Sequence, residues 1–279
     1  MPAIADDVGR ATGRRVKSLL RSICPRSVLM WREALHFLKY GEVELGLVEH
    51  LCRPDSASID VGANEGGYVH WMRRYSQHVY AFEPVPWLAD MLASKFPRGV
   101  TVENMALSSV HGRATLEIPL TAGGMITGLS TLNAAGLASY PERLRIEVTV
   151  APLDDICSGE IGFIKIDVEG HEQAVLDGAR KTMARCHPRL LVEIEARGVD
   201  DVARTLARLD YRGYFVREQR LEPIDRFDGK SMQRPEDIAG FSPGVPRKSF
   251  TRYINNFLFF PGNEPESTFR RIETSLRRA

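Results

Sequence analysis

Ser58-Ile-Asp60-Val-Gly62-Ala-Asn64-Glu65-Gly66 carries a short apolar run into a glycine turn and then toward a helical segment. The pattern predicts a strand over 58–61 and a helix from about Glu65 to Tyr75. Glycines at 62 and 66 would let backbone approach a ligand where side chains would block it. That is the layout of a nucleotide-type cofactor site, with Asp60, Gly62, Asn64 and Gly66 as binding candidates. The dinucleotide fingerprint laid over this register requires glycine at 60, 62 and 65, and the chain has Asp60, Gly62 and Glu65. Phosphate sites are built from free backbone N–H groups and a positive helix end. Two carboxylates in that place argue against NAD, FAD or ATP and favour a cofactor carrying positive charge. S-adenosylmethionine has no phosphate and carries an ammonium and a sulfonium, so Asp60 is expected to face its amino-acid part.

From Ala57 onward, apolar runs, turns and helical stretches repeat, which is the signature of a parallel sheet covered on both faces. A second strand, 78–82, delivers Glu83, followed by Pro84-Val-Pro86 and a helix to about Lys95. An acid at this distance from the glycine turn is placed to accept hydrogen bonds from ribose hydroxyls, with Pro84 beside it. Capping the next helix is the alternative use of Glu83. A third strand, 100–103, leads to Asn104, Met105 and Ala106, candidates for an adenine slot. Gly112-Arg113 reads as the turn of a hairpin between 104–110 and 114–118. Residues 119–140 read as either a lid or an irregular surface connection.

The second informative stretch is Ile161-Gly-Phe-Ile-Lys165-Ile-Asp167-Val-Glu169-Gly170-His171-Glu172. An apolar strand brings Asp167 to its carboxyl end, beside a turn carrying Glu169 and His171 before a helix to about Met183. In a doubly wound sheet this strand and the first flank the point where strand order reverses, so Asp167, Glu169 and His171 should face Asp60 and Gly62. Alternation puts Lys165 on the face of Asp167, where a lysine is expected to pair with an acid. Strands 189–195 and 211–217, a helix 200–209, a long irregular segment 218–250 and a last strand 253–260 complete the chain. The expected fold is therefore α/β, a doubly wound, mostly parallel seven-stranded sheet. It is Rossmann-like over 51–262, with an N-terminal helical extension over 1–50 and a polar tail over 263–279 that should fray.

A formal net charge of +1 gives no reason to expect nucleic acid as a partner. Four scattered cysteines form no metal or redox motif, and a reducing cytoplasm is the expected location. No stretch approaches a membrane span, and Arg21 and Pro25 break the one apolar run that resembles a signal. Val16, Leu19, Leu20 and Ile23 fall on one helical face among basic residues. This suits a helix lying on a membrane surface, or one covering the core or a neighbouring subunit in a homo-oligomer.

Ile59-Asp-Val-Gly-Ala-Asn64, Ala81-Phe-Glu-Pro84, Ala106-Leu-Ser108, Leu153-Asp154 and Phe163-Ile-Lys-Ile-Asp-Val-Glu-Gly-His-Glu172, with Val175-Leu176 and Gly178-Ala179, resemble the FkbM-type S-adenosylmethionine-dependent methyltransferases. The resemblance covers about 57–196 and the last strand near 255–261. It implies a class I methyltransferase fold and O-methylation of a hydroxyl on a sugar, glycan or secondary-metabolite acceptor. At 1–56, 119–140 and 218–250 it is poor, and these segments are expected to select the acceptor. Asp167, Glu169 and His171 are the catalytic candidates. Glu169 or His171 would take the proton, and Asp167 would orient the acceptor or the methionine ammonium. Asp167, Glu169 and Glu193, with His171 near them, make an oxygen-rich set suited to magnesium. A nicotinamide oxidoreductase and a non-catalytic cofactor-binding module are the competing readings.

Overall fold

The computed structural model describes residues 26–238 and 253–278. Strand β1 (Ala57–Val61) is buried at every position, as is β8 (Ile161–Ile166). Strands so placed need helices on both sheet faces, which is why their sequences read as continuous rather than alternating apolar runs. β1 lies between β8 and β2 (His78–Phe82), parallel to both, and β2 pairs with β3 (Val100–Glu103). On the other side β8 is followed by β9 (Arg189–Glu193). The chain thus builds outward from β1 in one direction, then returns to its other edge. The crevice expected at such a reversal opens at the carboxyl ends of β1 and β8.

The main sheet has eight strands rather than seven; it is mostly parallel, as expected, and mixed rather than strictly parallel. β12 (Asn256–Pro261) runs antiparallel between β9 and β10 (Tyr211–Arg217), and β10 turns back into β11 (Arg220–Pro223). The extra strand was hidden in the sequence because its two-residue turn is Glu218-Gln219, both at positive φ (49° and 63°). Neither residue is the glycine or asparagine that usually announces such a turn. The expected hairpin at Gly112-Arg113 is also different. Those residues open β5 (Gly112–Thr121), which pairs antiparallel with β7 (Arg143–Ala151), while β4 (Ala106–Leu107) lies parallel on the far side of β7. With β6 (Gly124–Met125) these strands form a separate four-stranded sheet.

Strand alternation sorts β1 and β8 between two cores. Ile59, Val61, Ile164 and Ile166 pack on one face of the sheet, and Phe163 packs on the other with Leu191, Leu258 and Phe260. Asp60 and Lys165 are partners in register across β1 and β8. The helix expected from 172 to 183 is two helices, Glu172–Asp177 and Arg180–Cys186. The break is at Gly178, where a Cβ would overlap the Ser108 carbonyl. The helix expected at 200–209 runs Ala196–Ala207.

The described part of the N-terminal extension is helical, with a helix at Arg26–Tyr40 and short turns at Val43–Leu47 and Val48–Leu51. The helical pattern at 16–23 lies outside the described residues. The tail does not fray: Glu266–Arg278 is a helix. Thr268, Ile272 and Leu276, at i, i+4 and i+8, are buried in the second core. Phe269, Ile272 and Leu276 stand isolated among charges and gave little sequence signal, but their spacing puts them on one face. The helix is anchored by Glu264, which receives Arg189 Nη2 at 2.7 Å and Nε at 3.1 Å, while Arg189 also donates to the His50 carbonyl. No helix among the described residues is long and apolar enough to cross a membrane.

Glu264 and Arg189 are largely withdrawn from water, so removing one partner strands the other. Glu264→Ala is expected to destabilise the fold by about 3 kcal/mol in urea unfolding. A loss within about 0.5 kcal/mol, the size of an ordinary surface change, would show that the pair does not anchor the tail.

Candidate active site

The turn after β1 is held from two sides. Gly62 and Ala63 donate their N–H groups to the Phe82 carbonyl, at 2.9 and 3.1 Å, and Asp167 N–H donates to the Val61 carbonyl at 3.0 Å. Gly62 has φ +79°, and a Cβ there would overlap the Asp167 carbonyl. The glycine is therefore required by the close approach of the β1 and β8 turns. Gly66, also at φ +79°, faces Leu92 and Phe96, each 2.7 Å from where its Cβ would be. Both glycines answer to packing, and Gly62 also borders the crevice, where backbone approach to a ligand was the expectation.

Glu83 ties this turn to the next strand. Its Oε2 accepts from Asn64 N–H at 2.7 Å and its Oε1 from Val85 N–H at 2.9 Å. The capping and binding readings of this residue are compatible, since each oxygen keeps a second lone pair. Burial pushes the carboxyl up to about 7, against those two hydrogen bonds. Asn104 stands behind it and donates from Nδ2 to the Glu83 and Pro84 carbonyls at 2.9 and 3.1 Å, shaping the loop. Met105 packs into the first core.

Two spaces meet at the β1–β8 reversal. One is a cavity of about 960 Å³ reaching from Tyr40, Glu42 and Tyr68 to Glu193 and Asn255. The other is a slot of about 50 Å³ lined by Glu83, Pro84, Ala106, Leu116, Leu132 and His171. Gly62, Asn64, Thr127, Gly128, Asp167 and Glu169 border both. The slot is narrow because residues 127–132 cover it. Thr131 Oγ1 donates to the Glu169 carbonyl at 2.6 Å, and Asn133 Nδ2 to the Gly170 carbonyl at 3.2 Å.

Lys165 is the buried cation of the site, 4% exposed. Its Nζ donates to Asp167 Oδ2 at 2.8 Å, lies 3.8 Å from Asp60 Oδ1 and sits 4.9 Å from the Tyr68 ring centroid. Burial opposes its charge, but Asp167, Asp60 and Glu42 outweigh burial and raise its pKa. Asp60, 1% exposed, borders neither space, and neither of its oxygens is hydrogen-bonded. Burial pushes its carboxyl up to about 6, with Lys165 pulling the other way. Asp60 therefore balances Lys165 inside the wall instead of facing the crevice.

Nine acidic residues border the larger cavity, against one lysine and no arginine among the described residues. Glu169, at φ +51°, is pushed up to about 8 by burial and by Asp167, Glu195 and Glu172. Glu193, receiving a hydrogen bond from Asn255 Nδ2, is raised well above the usual range by burial and then by Asp167. Asp167, Glu169 and Glu193 each bring an oxygen within 4.8 Å of the others, which is the grouping expected for a hard cation. His171 is on the slot side, 3.0 Å from Ser108 Oγ, and burial lowers its pKa. Glu42, Tyr68, Thr131 and Asn255 were missed in the sequence because they lie outside the two motif stretches. Only the topology brings them here.

Raised carboxyls make the folded site hold protons that the unfolded chain has released. For Glu169 this holds between 4.5 and about 8, so stability falls as pH rises through that window. We expect the unfolding free energy to decline from pH 5 to pH 8, and Glu169→Gln to flatten that decline. A variant with the wild-type slope would contradict the electrostatic description.

With this geometry in hand, comparison with known proteins gives one family. Residues 60–216 match the methyltransferase FkbM domain. Among solved structures, an FkbM methyltransferase from Methylobacillus flagellatus is 17% identical with a TM-score of 0.46, covering 75% of this chain. The present chain spans 44% of that protein's length. An rRNA methylase from Streptococcus thermophilus is 10% identical, with a TM-score of 0.42 over 78% of this chain and 94% of that one. A Streptococcus mutans methyltransferase structure in complex with SAH is 9% identical, with a TM-score of 0.39 over 78% of this chain and 95% of that one. A comparison with curated sequences gave no match. The family match spans more than half of the chain and runs through both turns that build the crevice: this protein belongs to the FkbM methyltransferase domain family.

Proposed function

We propose that the chain binds S-adenosylmethionine in the crevice and methylates a hydroxyl of a sugar, glycan or secondary-metabolite acceptor. The observation that carries this is the position of Asp167 and Glu169 on the border between the slot and the large cavity. A group passing from a cofactor in one space to an acceptor in the other has to cross there.

The residues suit the cofactor in chemistry. Glu83 offers acceptor lone pairs for ribose hydroxyls, and Pro84, Ala106, Leu116 and Leu132 offer apolar walls for a base. Asn64 Oδ1 is buried without a partner and can accept a hydrogen bond at the turn. A slot of about 50 Å³ is too small for an adenosine, so binding requires residues 127–132 to lift or shift. When bound, the cofactor supplies an activated methyl group. Asp167, at the crevice edge, faces its positive charge. The protein then aligns the acceptor oxygen, which can contribute roughly 7–11 kcal/mol, and accepts one proton.

Glu169 fits that second task better than His171. It borders both spaces and its raised pKa sits near working pH, where general bases are most effective. His171 borders only the slot and is engaged with Ser108. Lys165 keeps Asp167 in place as a positioning residue. The acid-lined cavity disfavours a polyanionic acceptor such as nucleic acid and favours a polyhydroxylated or cationic one. The convergence of Asp167, Glu169 and Glu193 supports a second reading, in which magnesium helps hold the acceptor.

In titrations, S-adenosylhomocysteine should bind and NADH should not. Glu83→Ala should weaken binding about tenfold or more, the cost of hydrogen bonds lost in a buried site. Tight NADH binding without S-adenosylhomocysteine binding would overturn the assignment. With the acceptor in hand, Glu169→Gln should lower kcat by about 10²–10⁴-fold, and His171→Asn by no more than a few-fold. The reverse order would make His171 the base. For the metal reading, activity lost to a chelator should return with magnesium, and Glu193→Gln should raise the magnesium needed. Full activity in chelator would exclude it.

A further inference from the structure

The strap over the slot is tied down on two sides by different means. Its middle, Thr127–Leu129, is a single tight turn, and Ser130 closes it by donating from N–H and Oγ to the Thr127 carbonyl at 3.2 and 2.7 Å. Toward the four-stranded sheet the ties are backbone. Ile126 N–H donates to the Pro119 carbonyl at 2.9 Å, and Thr131 exchanges two hydrogen bonds with Glu117 on β5, at 2.9 and 3.0 Å. Toward the turn after β8 the ties are side chains alone. Among the described residues they are two, from Thr131 Oγ1 to the Glu169 carbonyl and from Asn133 Nδ2 to the Gly170 carbonyl.

Thr131 is 1% exposed, and its hydroxyl is fully used. Oγ1 accepts from Asn133 N–H at 2.8 Å, and its proton goes to Glu169 at 2.6 Å rather than to the Asn133 carbonyl at 3.4 Å. The turn it reaches keeps its shape by other means. Asp167 N–H is held by the Val61 carbonyl, and Gly170 N–H donates to Glu172 Oε1 at 2.6 Å. The two side-chain bonds are therefore not needed to fold either partner. What they do is close one onto the other across the slot.

We propose that Thr131 and Asn133 are a latch that holds the strap shut over the slot, and that the cofactor enters by breaking it. The latch rests on the reading of the slot as the adenosine site, since a space of about 50 Å³ has to open before a nucleoside fits. The affinity of such a site is reduced by the fraction of molecules in which it stands open. Each latch bond lowers that fraction. Because the first bond ends on Glu169, which borders both spaces, opening the slot also frees the turn that faces the large cavity. Cofactor entry and the setting of the Glu169 carboxylate thus become one movement, with the cofactor bound before the acceptor.

The sign of one affinity change tests this, with S-adenosylhomocysteine as the probe and the full chain as the protein. Calorimetric titration should show Thr131→Val binding about two- to tenfold tighter than the wild type, the net worth of one hydrogen bond. Thr131→Ser, which keeps the hydroxyl, should match the wild type within about twofold. Asn133→Ala, at a half-buried position, removes the second bond and should also bind tighter. In stopped-flow mixing the gain should lie in the association rate. A bond that merely braces the fold predicts the opposite, a weaker site once it is lost. Unchanged or weaker binding by folded Thr131→Val would overturn the latch, and where that variant does not fold the same result with Asn133→Ala would do so. Failure of the wild type itself to bind S-adenosylhomocysteine would overturn the reading of the slot, and the latch with it.

Discussion

The site depends on one buried cation at the seam between β1 and β8. Lys165 stands opposite Asp60 in register, donates to Asp167 and lies against the Tyr68 ring. Without it, two carboxylates would face each other at the centre of the sheet with little solvent to separate them, a costly arrangement in a low-dielectric interior. With it, Asp60 is spent inside the wall and Asp167 is delivered to the crevice edge in a fixed orientation. The Gly62 turn closes over the same seam, because only a residue without a side chain fits under the Asp167 carbonyl. The lysine and the glycine thus hold two adjacent strand ends in the relation the crevice needs.

Past that seam the cavity carries more negative charge than it neutralises. Asp167, Glu169, Glu172, Glu193 and Glu195 crowd one rim, and their mutual repulsion, added to burial, keeps Glu169 and Glu193 protonated above the usual range. Such crowding of carboxylates works against stability, and it commonly marks a binding site. A positively charged ligand would relieve it, by drawing the protons off and pairing with the carboxylates. The electrostatics therefore suit a ligand that carries positive charge.

Much of this was legible in the sequence, and what was not has physical reasons. Asp60-Val-Gly62 and Lys165-Ile-Asp167 announced two strand ends because continuous apolar runs bounded by acids and glycines have few other solutions in a doubly wound sheet. The reversal point, and the meeting of Asp167 and Glu169 with Gly62, followed from that order. Asp60, read as a crevice acid, is withdrawn beside Lys165, its partner in register on β8. The turn Glu218-Gln219 lacked the usual residues for positive φ. The tail helix carried its apolar signal in only Phe269, Ile272 and Leu276, each flanked by polar or charged residues. Thr131 reaches the site from a segment without motif, through folding that no local pattern encodes.

A structure of the protein crystallised with S-adenosylhomocysteine tests the central claim most directly. The ribose hydroxyls are expected on Glu83, the base between Pro84 and Ala106 beneath displaced residues 127–132, and the sulfur at the border held by Asp167 and Glu169, open to the large cavity. A ligand whose sulfur points away from that border, or one lodged wholly in the large cavity with the slot still closed, would contradict it.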